Sequence, residues 1–284
     1  MTARAAPGSG DAPAGVRLVT EEVRPEAGAP SRWMHLLHGF LGAGRNWRST
    51  ARRVADARPD WAGLLVDLRL HGGSRDAPPP HTLEACVRDL GATVEAGAPR
   101  PRALLGHSFG GKVVLAAAAD RPAGLEQVWV LDATPSAGEP TGSPVEMLEV
   151  VRRRQGPFAD REEAVSALGD EGFPPRVGRW MATNLEETGD GLRWALDPDA
   201  LEELLEDLFR RDLWTVVEEP PEGLELHVVK AEGSDVLGED EVRRIEAAAP
   251  GTGRVHLHRL EGGHWLNISN PEGVLELLER RLPR

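Results

Sequence analysis

From about residue 16 to the C-terminus, short apolar runs alternate with longer stretches whose apolar positions recur every three or four residues. The short runs have the length and composition of buried strands, and the longer ones have the period of amphipathic helices. Strands are predicted at Val16–Val23, Trp33–Leu37, Ala62–Asp67, Ala103–Leu105, Gln127–Leu131, Leu224–Val229 and Val255–Leu260. Helices are predicted between and after them at Asn46–Ala57, Thr82–Glu95, Phe109–Asp120, Asp240–Ala248 and Pro271–Leu282. The last of these has a clear start, with Asn270 as N-cap and Pro271 in the first helical position. Strand and helix in alternation predict a mostly parallel sheet covered by helices on both faces, an α/β fold.

One stretch breaks the rhythm. Between residues 136 and 221 the pattern is helical only, at Pro144–Arg154, Arg161–Leu168, Pro175–Leu185 and Asp199–Val217, with Gly and Pro between the segments. Helices inserted between two strands cannot join the sheet, so they are expected to lie over its edge as a cap. The predicted organisation is a disordered leader at 1–15, a core from 16–135 and 222–284, and a cap at 136–221.

Composition narrows the function. A formal charge of −13 argues against a nucleic-acid partner, because neutralising phosphates needs clustered cations. Lys112 and Lys230 are the only lysines, a usage that fits a GC-rich bacterial genome. No run approaches the ~20 apolar residues of a membrane span. The first fifteen residues are small, polar and proline-rich, without the apolar segment of an export signal. A cytoplasmic location is therefore expected. Cys86 is the single cysteine, so no intramolecular disulfide can form, and its helical setting predicts a small buried side chain.

Three segments carry chemistry. Gly106-His107-Ser108-Phe109-Gly110 is a G-x-S-x-G placed where a strand ends and a helix begins. A tight turn there strains the backbone and exposes the serine hydroxyl, which makes Ser108 the candidate nucleophile. The helix start behind it aims the Phe109 N–H at a developing oxyanion. His38-Gly39-Phe40-Leu41-Gly42 follows the strand Trp33–Leu37 and can bring a second donor, the Phe40 N–H; His38 itself is expected to hold the loop. Gly262-Gly263-His264-Trp265 follows the last strand and makes His264 the candidate general base. His256 and His258 alternate along a strand and are expected to face a packed or solvated surface. The acid that orients the histidine is either Asp132, closing the strand Gln127–Leu131, or Asp235, following Leu224–Val229. Strand position alone allows both.

HGFLG, VDLRLHGGS, LLGHSFGGKVVL, VWVLDATP and GGHW together resemble the α/β-hydrolase superfamily, in its order and over nearly the whole chain beyond the leader. The chain is most similar to the small capped esterases and acyl-thioesterases. These often carry D-x-R-x-H-G-x-S, here Asp67 to Ser74, and an aspartate followed by x-x-P, here Asp132 to Pro135. The resemblance implies an eight-stranded, mostly parallel sheet with an inserted helical cap, and it favours Asp132 over Asp235 as the acid. It also implies two-step acyl transfer on an ester or thioester, with no metal and no organic cofactor. No Cys/His ligand cluster is evident in the sequence, and GHSFGG lacks the G-K-[ST] ending of a phosphate loop.

Two other readings use the same residues. HGFLG with HGGS also resembles menaquinone-pathway lyases, in which the triad abstracts a proton; Arg45, Arg69 and Arg179 are the cations available for their polyanionic substrate. A non-catalytic scaffold that binds a partner is the other, although such proteins usually lose a triad residue. In the cap, Trp180, Met181, Trp194, Leu204, Leu205, Phe209 and Trp214 either line an acyl pocket or hold the cap helices together. The oligomeric state is not readable from the chain.

Overall fold

A computed structural model of the chain describes residues 14–284; most of the expected leader, residues 1–13, lies outside them. The elements run β1 (Thr20–Val23), β2 (Arg32–Leu37), α1 (Arg48–Ala57), β3 (Trp61–Val66), α2 (Leu83–Glu95), β4 (Ala103–His107), α3 (Phe109–Ala119) and β5 (Gln127–Leu131). An insertion follows: α4 (Ser143–Arg153), α5 (Arg161–Asp170), α6 (Pro175–Met181), β6 (Leu185–Thr188), β7 (Gly191–Trp194), α7 (Pro198–Arg210) and α8 (Trp214–Glu218). The chain returns with β8 (Glu225–Ala231), α9 (Glu239–Thr252), β9 (Val255–Leu260), α10 (Leu266–Ser269) and α11 (Pro271–Arg281).

The main sheet has seven strands in the order β1-β3-β2-β4-β5-β8-β9. All neighbours are parallel except β1, which pairs antiparallel with β3 at one edge. Every residue of β4 and β5 is buried, as expected of central strands covered on both faces. Side chains of α1 and α11 pack on one face, and those of α2, α3 and α9 on the other. Buried Met147, Leu148, Leu201, Leu204 and Leu208 of α4 and α7 belong to the same apolar core as α2 and α3.

Four expectations are corrected. The sheet has seven strands among the described residues, not eight. The run Val16–Val23 yields only β1, because side chains rather than a strand take its first donors: Val16 N–H donates to Asp89 Oδ1 (2.8 Å), Leu18 N–H to Thr93 Oγ1 (2.9 Å) and Val19 N–H to Ser74 Oγ (2.9 Å). The insertion is not all helical: the helix expected over Pro175–Leu185 ends at Met181, and β6 and β7 form an antiparallel hairpin. Its loop, Gly189-Asp190, is a two-residue hairpin signal that the flanking glutamates of β6 obscure. The helix expected over Asp199–Val217 breaks into α7 and α8, because Leu213 N–H is drawn to the Pro135 carbonyl (2.8 Å) and Asp212 Oδ1 caps Trp214 N–H (3.0 Å).

Candidate active site

The site lies at the carboxyl ends of the parallel strands, where loops rather than regular structure set the geometry. Ser108 stands between β4 and α3 with φ 53° and ψ −116°, a conformation costly for any residue with a Cβ. The bend is tight enough to exclude side chains on either side of it. A Cβ on Gly106 would overlap the Gly110 carbonyl, and one on Gly110 would overlap the His38 carbonyl. Leu41, Leu70 and Asp132 also have positive φ, so four of the five described non-glycine residues in that region lie in the loops around this site.

The structure brings Ser108, His264 and Asp132 into one chain of hydrogen bonds. His264 Nε2 lies 3.0 Å from Ser108 Oγ, and His264 Nδ1 lies 2.7 Å from Asp132 Oδ2. With the carboxylate accepting from Nδ1–H, the Nε2 lone pair faces the hydroxyl, which donates to it. Asp132 is fully buried, and its other oxygen accepts the Ala231 N–H at 3.0 Å. Burial alone pushes this carboxyl up, but bonds from His264, the Ser234 hydroxyl and the Ala231 amide outweigh it and hold the group below its ordinary range. Asp235 is exposed and makes no hydrogen bond to His264.

Phe40 and Phe109 are both buried beside Ser108, and neither backbone N–H finds a protein acceptor among the described residues. The loop that carries Phe40 is held by two histidines acting reciprocally. His38 donates from Nδ1 to the Gly39 carbonyl (2.8 Å) and accepts Leu68 N–H at Nε2 (3.0 Å). His71 donates from Nδ1 to the Arg69 carbonyl (2.8 Å) and accepts Leu41 N–H at Nε2 (3.0 Å). Each imidazole must stay neutral to accept, and burial pushes His38 down to about 4 and His71 down to about 3.

His71 belongs to a set of positioning residues that reading for catalysis missed, although the D-x-R-x-H-G-x-S motif contains them all. Asp67 accepts Gly44 N–H and Gly73 N–H at 2.7 and 2.8 Å. Buried Arg69 pairs with buried Asp89 at 2.8 Å and bonds the Pro78 and Pro80 carbonyls. His107 was also passed over: its Nε2–H donates to the His264 carbonyl at 2.7 Å and its ring lies 4.6 Å from that of His264.

A cavity of about 700 Å³ opens on Ser108 and His264. Phe40, Phe109, Leu205, Leu208, Phe209 and Trp265 supply much of its wall. Trp214, by contrast, is buried, donating to Ser136 Oγ at 3.0 Å and lying under Arg244. Lys112, one turn along α3 from the serine, also borders the cavity, with its ammonium donating to the Ser136 and Leu208 carbonyls at 2.8 and 2.9 Å. Burial pushes Lys112 down to about 8. Glu139, Asp235 and Glu241 bring acidic groups to the same wall, whereas Arg45, Arg69 and Arg179 do not reach it.

Comparison with known proteins places these features in a family context. The model of the alpha/beta hydrolase family matches residues 36–277. The sn-1-specific diacylglycerol lipase ABHD11 of Mus musculus is 27% identical over 253 residues, covering 84% of this chain and 77% of that protein. The 2-succinyl-6-hydroxy-2,4-cyclohexadiene-1-carboxylate synthase of Klebsiella pneumoniae subsp. pneumoniae is 30% identical over 136 residues, covering 45% of this chain and 47% of the other. Among solved structures, a marine microorganism esterase superposes with a TM-score of 0.74 at 22% identity, covering 92% of this chain and 98% of its own. E-2-(acetamidomethylene)succinate hydrolase superposes at 0.70 with 19% identity, covering 93% and 98%.

Proposed function

The chain belongs to the alpha/beta hydrolase family, and from that premise we propose that it is a serine hydrolase that cleaves carboxylic esters or acyl thioesters with an aliphatic acyl group. The observation that carries this reading is the hydrogen-bonded chain Asp132–His264–Ser108 at the mouth of a large, mainly apolar cavity. In the proposed reaction Ser108 Oγ attacks the acyl carbonyl while its proton passes to His264 Nε2. Asp132 stabilises the imidazolium, and the Phe40 and Phe109 N–H groups hold the oxyanion. The tetrahedral intermediate expels the alcohol or thiol, which takes the proton from His264. Water then attacks the acyl-enzyme by the same route and frees the acid and Ser108. Residues 136–221 act as a cap whose Leu205, Leu208 and Phe209 give the acyl chain an apolar wall.

The similarity to a diacylglycerol lipase supports an acyl ester as substrate. The lyase reading draws on a match covering less than half of the chain, and the cavity's charge weighs against it. Arg69 is buried against Asp89, Arg45 donates to the Thr183 carbonyl, and the wall itself is acidic apart from Lys112. A polyanion would meet repulsion there. Hydrolysis of p-nitrophenyl esters of increasing chain length tests the proposal. Medium chains should be cleaved faster than acetyl, and Ser108→Ala should abolish turnover of all of them. Absence of turnover across the series would sink the hydrolase reading, and a flat profile would remove the role given to the cap.

A further inference from the structure

At the amino ends of β8 and β9, on the opposite side of the sheet edge from Ser108, the parallel pairing sets His227 directly beside His256. Glu225 and His227 share one face of β8, and His256 and His258 share that face of β9. One nitrogen each from His227 and His256 and one carboxylate oxygen of Glu225 lie within 4.8 Å of one another. We infer that Glu225, His227 and His256 form a binding site for one divalent transition-metal ion of the zinc class, tying the edge strand β9 to the interior of the sheet.

The surroundings of these three residues argue for a ligand. His227 is 1% exposed, yet its Nε2 has no hydrogen-bond partner; Glu225 Oε2 faces it at 3.5 Å, too far to satisfy it. An orphaned polar atom at such depth is costly unless something occupies the space in front of it. Behind the cluster, hydrogen bonds hold His227 and Glu225 in place. His227 Nδ1 meets His258 Nε2 at 3.0 Å; with Nδ1–H as the donor of that bond, Nε2 keeps the lone pair that a metal ion needs. Glu225 is oriented by Gln127, whose Nε2 donates to its Oε2 at 2.7 Å and to the Arg281 carbonyl at 2.8 Å. Gln127 Oε1 in turn accepts Trp129 Nε1–H at 3.1 Å. The Trp129 and His227 rings stack at 3.9 Å, which fixes the imidazole plane.

The donor chemistry fits as well. Two imidazole nitrogens and one carboxylate oxygen are a common zinc ligand set, with a fourth position left to water. Arg281 and Arg280 lie near enough to repel a cation, and the Glu225 carboxylate is the group that offsets them. His256 is half-buried on the edge strand, so its ring has room to turn toward the ion.

Zinc binding to the untagged full chain, stripped with chelator and titrated calorimetrically, tests this assignment. The wild type should bind one Zn²⁺ per chain, unfold at higher temperature with it, and give the visible absorption of a four- or five-coordinate site when Co²⁺ replaces it. Glu225→Gln and His256→Ala alter exposed or half-buried groups and should each weaken binding by more than about 100-fold. His258→Ala, acting through His227, should cost about 10- to 100-fold. His264→Ala should bind as the wild type does, which separates this site from the histidine beside Ser108. Esterase activity should be the same in Glu225→Gln and His256→Ala as in the wild type. A wild type that takes up no Zn²⁺, or variants at 225 and 256 that bind it undiminished, would overturn the assignment.

Discussion

The loops that follow β5 and β8 each present an aspartate between Ser108 and His264 in the chain, and the fold treats the two in opposite ways. Asp132 is fully buried at φ 45°, with one oxygen on His264 and the other on the Ala231 N–H. Asp235 points to the exposed rim of the cavity. A carboxylate at a strand end is therefore not enough to orient a histidine. It must be taken out of water, which strengthens its pull on the imidazole, and it must be given donors that keep it ionised there.

Substituting each aspartate by asparagine gives the largest expected effect and the sharpest break between the two loops. Asp132→Asn removes the charge and misorients the imidazole, and should lower kcat on a p-nitrophenyl ester by about 10⁴-fold. Asp235→Asn should leave kcat near the wild-type value. Comparable losses in both would erase the distinction drawn between them.

Asp89 supplies a second contrast, a buried carboxylate with a structural task. It accepts two bonds from Arg69 and one from Val16 N–H. Asp89→Asn strands a buried guanidinium and should cost about 3–5 kcal/mol in urea unfolding. Its effect on kcat per folded molecule should be far smaller than that of Asp132→Asn.

The cavity wall gives an intermediate effect. Leu208→Trp fills space beside Lys112 and should move the chain-length optimum toward shorter acyl groups, changing relative kcat/KM for neighbouring lengths by about tenfold. Substitution of Asp235 should leave the optimum in place, since it removes no apolar wall.

Acid should act on the buried histidines of β2, β4 and the loops beside Ser108. His38 and His35 are held at about 4, and His71 and His107 at about 3, against an ordinary 6.5, by burial in every case. The unfolded chain thus binds protons more readily than the folded one, so stability falls as pH drops from about 6.5 toward 4. Urea midpoints across that range check the sign, and His71→Asn should show a shallower dependence than the wild type.

The contrast between the aspartates also marks where the sequence was informative. Ser108 and His264 announce themselves because their motifs are local: Gly106 and Gly110 are required by backbone overlap, and His264 follows directly on a strand. The central strands were equally legible, since burial on both faces makes them unbroken apolar runs. Asp132 could be separated from Asp235 only through resemblance, because burial and partners depend on how β5 and β8 align. The β6–β7 hairpin was hidden because exposed Glu186 and Glu187 blur its alternation. The orphaned nitrogen of His227 was equally out of reach, for it arises from cross-strand register between β8 and β9 rather than from spacing within either.

The central claim is that Ser108 Oγ is a nucleophile activated by His264, and covalent labelling tests it most directly. A fluorophosphonate probe followed by peptide mass spectrometry should place its adduct on the peptide carrying Ser108. The adduct should be absent in Ser108→Ala and formed far more slowly in His264→Ala. A folded wild-type chain that stays unlabelled, or that carries the adduct on another residue, would contradict the account.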